Sequence, residues 1–480
     1  MSNKAGVSSL KWPILSKNIV VASVAIGIGL IVVLVTDYSE WMYVVLLGLP
    51  AVVVAIWFLW RFPVAPYLIF PLTAFELVYV TVAGVNIRPH QIIALLAIAA
   101  LLLKKEILIP KSLVDWACIA YLFINGISIS YSYSRMDSIE LWLLFVVQIG
   151  TLYALMRFLD TPNRVRKFIP FFLFSGFVLT VVGLAQIVLV IAGVLPPYRN
   201  AWMIPTGRPP GTFIEAGWLA AFSLFFLLAY LPFLYSRRFA RYRPFIVIAW
   251  LLMLIVNLFC MARAAWLGMM IGIPLQLGLM LWLRPKGARG LINLIAFRLA
   301  PLLIVLSLLA TLIMSDFVGS FVHRFLDLGN RSESAASLRT DDFSDVIKLV
   351  YKRPWTGYGI GTLEVVMREP MNNPRHRGFA NVSLNIYLTM LFDAGIPGLL
   401  TGLLLTLSIP LEIIHNAART SNPFDRDFLI ALGVGMLGLV LTFQFSNGFP
   451  RGWYWALAGV SLVTGRILSR NENAHESTDG

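Results

Sequence analysis

The sequence Tyr351-Lys-Arg-Pro-Trp-Thr-Gly-Tyr-Gly-Ile-Gly361 lies within residues 316–380, the only extended stretch of the chain without an apolar run of membrane-spanning length. Arg339-Thr-Asp-Asp-Phe-Ser-Asp345 precedes it, and Asn385-Ile-Tyr-Leu388 and Asp393-Ala-Gly-Ile-Pro-Gly398 follow it. Apolar segments flank this polar stretch on both sides. One long polar break among apolar runs indicates that the working groups collect on one face of a membrane, which favours chemistry on a lipid-bound substrate.

The 480-residue chain as a whole is strongly apolar, with 59% hydrophobic and 13% charged residues and a mean hydropathy of +0.80. Soluble domains carry about 25% charged residues. Runs of roughly 20 apolar residues recur, each long enough to cross a hydrocarbon core of ~30 Å, and a backbone in lipid must be helical to satisfy its own hydrogen bonds. The sequence therefore predicts an all-α polytopic membrane protein with about 12–14 transmembrane helices and one long extracytoplasmic loop containing short helices.

The distribution of charge predicts the orientation in the lipid bilayer. Lysine and arginine are concentrated in alternate short loops, which places both termini in the cytoplasm and residues 316–380 outside. The outer short loops hold only a few arginines, namely Arg88, Arg135, Arg199, Arg208, Arg263 and Arg451. This asymmetry explains the net charge of +14 without a nucleic-acid partner.

Five regions follow from this pattern. Transmembrane helices are expected in 1–200, transmembrane helices with charged outer motifs in 201–315, the extracytoplasmic loop with interfacial helices in 316–395, further transmembrane helices in 396–470, and a disordered tail in 471–480. Within the loop, the apolar spacing predicts a surface helix over 341–352 that ends before Pro354. A flexible glycine turn should follow, and a short interfacial helix over 382–394 should end at Gly395.

Charged residues at the outer helix ends are the candidate site residues. Arg208 and Glu215 lie in Thr206-Gly-Arg-Pro-Pro-Gly-Thr-Phe-Ile-Glu-Ala-Gly217, Arg263 interrupts Met261-Ala-Arg-Ala-Ala-Trp266, and Arg451 precedes the last span. Ionisable groups at membrane depth are costly and usually face a cavity or a partner. The planar fork of arginine suits a diphosphate. The alternatives are that Arg208 and Arg451 anchor helix ends, that Arg339 is a surface charge, and that Glu215 pairs with Arg208 or complements a helix dipole.

Other titratable groups are expected to be structural or solvated. Glu76 falls within a predicted span near 67–85, where a packed pair or an internal hydrogen bond is expected. The two cysteines lie in apolar runs, which predicts neither a disulfide nor a zinc site. The outer histidines are expected to be solvated, and their spacing matches no metal site: His90, His323 and His376.

Together these motifs resemble the O-antigen ligase and Wzy-type polysaccharide polymerase superfamily over about residues 200 to 415. The resemblance rests on Arg208-Pro-Pro-Gly-Thr-Phe-Ile-Glu215, on the Ala-Arg-Ala-Ala-Trp break, and on the long loop with Arg339 and Arg353-Pro-Trp-Thr-Gly-Tyr-Gly-Ile-Gly361. The pieces Asn385-Ile-Tyr-Leu388 and Gly395-Ile-Pro-Gly398 complete it. Their order and spacing carry the resemblance.

The resemblance implies a multi-pass glycosyltransferase on the outer face of the bacterial inner (plasma) membrane. Such enzymes transfer a glycan from an undecaprenyl-diphosphate carrier to a glycan or lipid-glycan acceptor, with no metal, cofactor or sugar nucleotide. Similar ligases hold the diphosphate with arginines and use a loop histidine just before Asn-x-Tyr-Leu to assist the acceptor hydroxyl. This chain has Leu384 at that position, which favours a polysaccharide polymerase over a lipid A-core ligase.

The resulting hypothesis is a metal-independent polysaccharide polymerase. Glu215, Arg263 and Arg339 are its predicted catalytic residues, with the arginines opposing the charge of the leaving diphosphate and Glu215 acting as a base or as the partner of an arginine. The predicted substrate-binding residues are Arg208, Asn385, Tyr387 and Arg451. Two alternatives stay open: a ligase of the same fold, and a lipid-linked glycan flippase. Transporters usually show charged or broken spans near the midplane, and only Glu76 fits that description.

Overall fold

The computed structural model describes residues 54–59, 64–76, 78–82, 85–104, 110–192, 208–283, 292–293, 335–368 and 385–476. The predictions for the first spans, for the span near 291–315, for Leu384 and for much of the long loop lie outside these residues.

The elements of the described ranges are almost all helices. In chain order they are α1 (Ala65–Leu72), β1 (Val80–Val82), β2 (Val85–Ile87), α2 (Pro89–Leu103), α3 (Leu113–Ser128), a 3₁₀ helix (Ile129–Tyr131), α4 (Arg135–Phe158), α5 (Pro162–Ile191), α6 (Ala216–Tyr235), a 3₁₀ helix (Arg237–Tyr242), α7 (Arg243–Phe259), α8 (Arg263–Leu283), α9 (Ala335–Lys352), α10 (Leu363–Arg368), α11 (Ile386–Ala418), α12 (Pro423–Thr442) and α13 (Gly452–Glu476).

Within the described ranges, seven helical segments are long and apolar enough to cross a membrane. They are Leu113–Tyr131, Arg135–Phe158, Pro162–Leu189, Ala216–Tyr235, Arg237–Phe259, Arg263–Leu283 and Ile386–Ala418. The prediction of an all-α polytopic membrane protein is confirmed.

Helix α6 forms the centre of the bundle. It is apolar on every side and almost entirely buried, as expected of a helix surrounded by other helices. It packs on α7, α8 and α12. A Cβ on Gly268 or Gly272 of α8 would press against Leu224 or Leu228 of α6, so these glycines let the two backbones approach closely. These contacts pack α8 closely against the middle of α6.

The predicted span near 67–85 is wrong. Helix α1 ends at Leu72, where Thr73 Oγ1 donates to Phe70 O at 2.6 Å. β1 and β2 then form an antiparallel hairpin with Val80 opposite Ile87. Hydropathy alone does not distinguish this β-branched segment from a helix. Glu76 therefore lies in the connection after α1, not inside a span.

The glycine turn and the kink in α11 form one structure. Gly357, Gly359 and Gly361 have φ of 67°, 100° and 80°, in the region that glycine adopts without strain. Tyr358 N donates to Phe392 O and Gly359 N to Asp393 O, both at 2.9 Å. The turn that the sequence predicted to be flexible is thus held by hydrogen bonds to α11.

The same kink joins two predicted elements. The expected interfacial helix near 382–394 and the span after it are one helix, α11, bent at Ala394 and Gly395. The predicted surface helix is confirmed and begins earlier, since α9 starts at Ala335. Helix α13 continues to Glu476, into the segment predicted as a tail.

Candidate functional site

Four predicted site residues lie where helices begin. Glu215 is the N-cap of α6, Arg263 is the first residue of α8, Asn385 is the N-cap of α11, and Arg451 directly precedes α13. Contacts of these helix starts with the residues beside them place them at one end of the bundle, named here the Arg451 end. Helix N-termini carry unpaired N–H groups and a partial positive charge, which favours anions.

Arg208 contacts the break between α7 and α8, which directly precedes Arg263. Arg208 Nε donates to Cys260 O at 2.6 Å, and Cys260 lies just before Arg263. Met261, between them, has a φ of 46°, which turns the chain sharply into α8. Burial raises the pKa of the Cys260 thiol to about 12, so this side chain stays protonated. The fold thus brings two arginines from separate motifs to one break.

Arg451 connects the start of α13 to the start of α6. Its guanidinium lies over the Trp218 ring, 4.2 Å from the ring centroid. Such a cation–π contact holds the guanidinium in a defined orientation. Trp218 is buried in the first turn of α6, so Arg451 lies beside the helix that begins after Glu215.

Glu76 belongs to this end of the bundle, which the sequence did not predict. Glu76 N donates to Thr212 O at 3.1 Å, and Arg88 Nε donates to Glu76 O at 3.4 Å. The residue is 1% exposed, and neither carboxylate oxygen has a hydrogen-bond partner among the described residues. The internal hydrogen bond expected for this carboxylate is therefore not made with any of the described residues.

The charges around Glu76 oppose one another. Burial raises the pKa of Glu76 above its ordinary value of 4.5, Arg451 and Arg88 lower it, and Glu215 raises it. The net effect is a raised pKa of Glu76. Burial therefore outweighs the attraction of the two arginines, and the charged carboxylate is held at a cost.

His90 completes the group and corrects another prediction. It is 1% exposed rather than solvated, and both of its ring nitrogens lack a partner within the described ranges. A Cβ on Gly452 would collide with His90 Nε2, so the imidazole packs directly beneath the residue after Arg451. We refer to Glu76, Arg88, His90 and Arg451 as the Arg451 cluster.

Asn385 and Tyr387 make contacts within the protein. Asn385 Oδ1 accepts from Tyr387 N at 2.8 Å, and its Nδ2 donates to Gln444 Oε1 at 2.5 Å. Tyr387 Oη donates to Val440 O at 2.9 Å. These bonds tie the start of α11 to the end of α12. Arg339 lies inside α9, away from the helix starts in sequence. Binding of sugar by Asn385 and Tyr387 stays a prediction.

Two signals in the sequence pointed to the missed residues. A carboxylate such as Glu76 in an apolar run is costly and therefore informative, and Arg88 is one of the few arginines in the outer short loops. Neither signal identifies Thr212 or Arg451 as a neighbour, because those contacts are made across the fold.

One known family matches part of the chain. The family described as O-antigen ligase has a model that matches residues 248–402. This segment is similar to that family. The match spans the break at Arg263, helix α9 with Arg339, the glycine turn and the kink of α11, and it supports a glycan-transfer or polymerase-type function. The predicted resemblance is confirmed. No curated protein matches the chain. Glu76, Arg88, Arg208, Glu215 and Arg451 lie outside the matched segment.

Proposed function

We propose that this protein is an extracytoplasmic glycosyltransferase that polymerises a bacterial surface polysaccharide. Its donor is a glycan on undecaprenyl diphosphate, and its acceptor is another glycan. The observation that carries the proposal is the hydrogen bond from Arg208 to Cys260 O, in the break that precedes Arg263. This break lies at the end of the bundle where α6, α8, α11 and α13 begin.

The chemistry follows from the leaving group. When the acceptor hydroxyl attacks the sugar, the bond to the diphosphate breaks and negative charge grows on a phosphate oxygen. Arg208 and Arg263 stabilise that charge with preorganised donors, each with an expected contribution of about 10²–10³-fold in rate. Arg339 also stabilises the negative charge on the leaving diphosphate. Arg451 binds the donor or the acceptor, and Asn385 and Tyr387 contribute to sugar binding. No step needs a metal.

The membrane placement is part of the proposal. The Arg451 end faces away from the cytoplasm of the bacterial inner membrane, and both termini lie inside, as the positive-inside rule predicts. A donor whose lipid stays in the bilayer then reaches the arginines from the outer leaflet.

The test uses purified protein in detergent with a lipid-diphosphate-linked glycan and a chelator. We expect Arg263→Ala to reduce transfer by about 10²–10³-fold while the protein stays folded. Arg263→Lys should retain only part of the wild-type transfer activity, because lysine provides the charge without the two parallel N–H donors of arginine. Detergent removes the two compartments that a flippase needs, so product formation by wild type separates an enzyme from a transporter.

Arg243 supplies a matched control, since it is the first residue of α7 as Arg263 is of α8, but at the opposite end of the bundle. Arg243→Ala should transfer glycan at the wild-type rate. Full activity of Arg263→Ala would rule out the arginine clamp. Glycan movement across proteoliposomes without any product in detergent would favour the flippase.

A further inference from the structure

A group of buried polar atoms without partners surrounds Glu76. Among the described residues, these atoms are Oε1 and Oε2 of Glu76, Nδ1 and Nε2 of His90, Oγ1 of Thr212, Nε1 of Trp218 and Nε of Arg451. Most buried polar groups in proteins are hydrogen-bonded, so a concentration of exceptions needs an explanation.

These side chains are neighbours. The backbone of Glu76 is bonded to that of Thr212, Arg451 lies over Trp218, and His90 packs against Gly452. Electrostatic interactions of Glu76 with Arg451, Arg88 and Glu215 connect the two halves of the group. The carboxylate is therefore enclosed by the connections before α2, α6 and α13.

The chemistry of the group selects the ligand. Glu76 only accepts hydrogen bonds when ionised, Arg451 and Trp218 only donate, and His90 and Thr212 can do either. A phosphate would be repelled by Glu76. A sugar presents hydroxyls that both donate and accept, so it matches this mixture of donors and acceptors.

We propose that Glu76 binds the attacking hydroxyl of the acceptor sugar and takes its proton, with His90, Thr212 and Arg451 completing an acceptor subsite beside Arg208 and Arg263. This inference rests on the proposed glycan transfer and names the acceptor-binding half of that site.

The step balances without a further reactant. The acceptor oxygen forms a bond to the anomeric carbon of the donor sugar, and the bond from that carbon to the diphosphate oxygen breaks. Its electron pair leaves with the diphosphate, next to Arg208 and Arg263. The hydroxyl proton moves to a carboxylate oxygen of Glu76. Burial of Glu76 keeps bulk water from competing with the sugar hydroxyl.

The two nearby carboxylates take different roles. Glu215 has other interactions within the protein, which suits the orienting partner of an arginine, whereas Glu76 has both oxygens unpartnered. A carboxyl with a raised pKa lies closer to the pH at which a general base works. Among the described residues, the charged groups that act electrostatically on Glu76 are Arg88, Glu215 and Arg451, and His90 packs beside Arg451 against Gly452.

The test compares wild type with Glu76→Gln in detergent, measuring kcat and acceptor KM across pH together with binding of labelled donor. We expect Glu76→Gln to lower kcat by about 10²-fold or more, to remove the acidic limb of the pH profile, and to leave donor binding unchanged. Thr212→Val should raise the acceptor KM several-fold with kcat little affected.

Glu76→Asp keeps a carboxylate and should retain the acidic limb at a reduced rate, which covers the case in which Glu76→Gln misfolds. Asp427→Asn removes a buried carboxylate at the far end, where Tyr235 Oη donates to it at 2.8 Å, and should keep the wild-type pH profile. An unchanged kcat and pH profile in Glu76→Gln, or a loss of donor binding equal to the loss of transfer, would overturn the inference. An inactive wild type would instead overturn the proposed function.

Discussion

Two arginine–carboxylate groups lie at opposite ends of the bundle and are built differently. At the far end, Arg466 Nε donates to Glu412 Oε1 at 2.5 Å, and Arg466 Nη2 donates to Ser112 Oγ at 2.6 Å. Asp115 accepts from Tyr153 Oη at 2.9 Å and lies 3.4 Å from the Arg466 guanidinium. Each charged group of this Arg466 network is hydrogen-bonded.

The Arg451 cluster uses the same residue types without closing the network. Within the described ranges, Glu76 makes no ion pair within 4.0 Å and no side-chain hydrogen bond, and Arg451 Nε lacks a partner. Satisfied polar networks rigidify a fold, whereas unpartnered buried groups carry a desolvation cost. Such a cost is often retained at functional sites, so we expect the Arg466 network to contribute to stability and the Arg451 cluster to contribute to the proposed activity.

The largest effect on stability is expected at the Arg466 network. Arg466→Ala leaves Glu412 and Asp115 without their cation, which should cost about 3 kcal/mol of unfolding free energy. Thermal unfolding in detergent measures this loss, and transfer per folded molecule should stay at the wild-type level. Arg451→Ala is the counterpart and should show the reverse, with transfer lost and stability kept. A folded but inactive Arg466→Ala would contradict the purely structural role given to the Arg466 network.

A smaller loss is expected at the glycine turn, another satisfied structure. Gly357→Ala forces a side chain into a φ of 67° and against Phe392 O, which should cost about 2 kcal/mol and detach α9 from the kink of α11. Limited proteolysis near α9 reports the detachment. Gly278→Ala is the control, because a Cβ there meets nothing within 4 Å. Equal protease resistance of wild type and Gly357→Ala would contradict the docking role of the turn.

The smallest expected effect is the pH dependence of stability. Its sign distinguishes the Arg451 cluster from the Arg466 network. Because burial raises the pKa of Glu76 above 4.5, the folded state binds a proton more tightly than the unfolded state. Wild-type stability therefore falls as pH rises from that value through the raised pKa. Glu76→Gln does not titrate, so it should match wild type at low pH and equal or exceed its stability at neutral pH. Melting temperatures from pH 4 to 8 test this, and a less stable Glu76→Gln at neutral pH would place Glu76 with the structural carboxylates.

The accuracy of the sequence predictions depended on how local each signal was. The ends of α9 at Lys352 and of α7 near Cys260 follow from nearby proline, glycine and arginine, and they were predictable. The span near 67–85 failed because the apolar, β-branched residues of the hairpin give the same hydropathy as a helix. The solvated state expected of His90 failed because Gly452, far along the chain, provides the surface that buries it.

Hydropathy and charge determined the membrane class and the end of the bundle that gathers Arg208, Arg263 and Arg451, since both are properties of short segments. The tertiary structure decided which charges are paired. Arg466 and Ser112 are 354 residues apart, and Glu76 comes next to Thr212 and within electrostatic range of Arg451 only through the packing of the helices. Whether a buried carboxylate is satisfied depends on such distant neighbours, and no local pattern in the sequence encodes them.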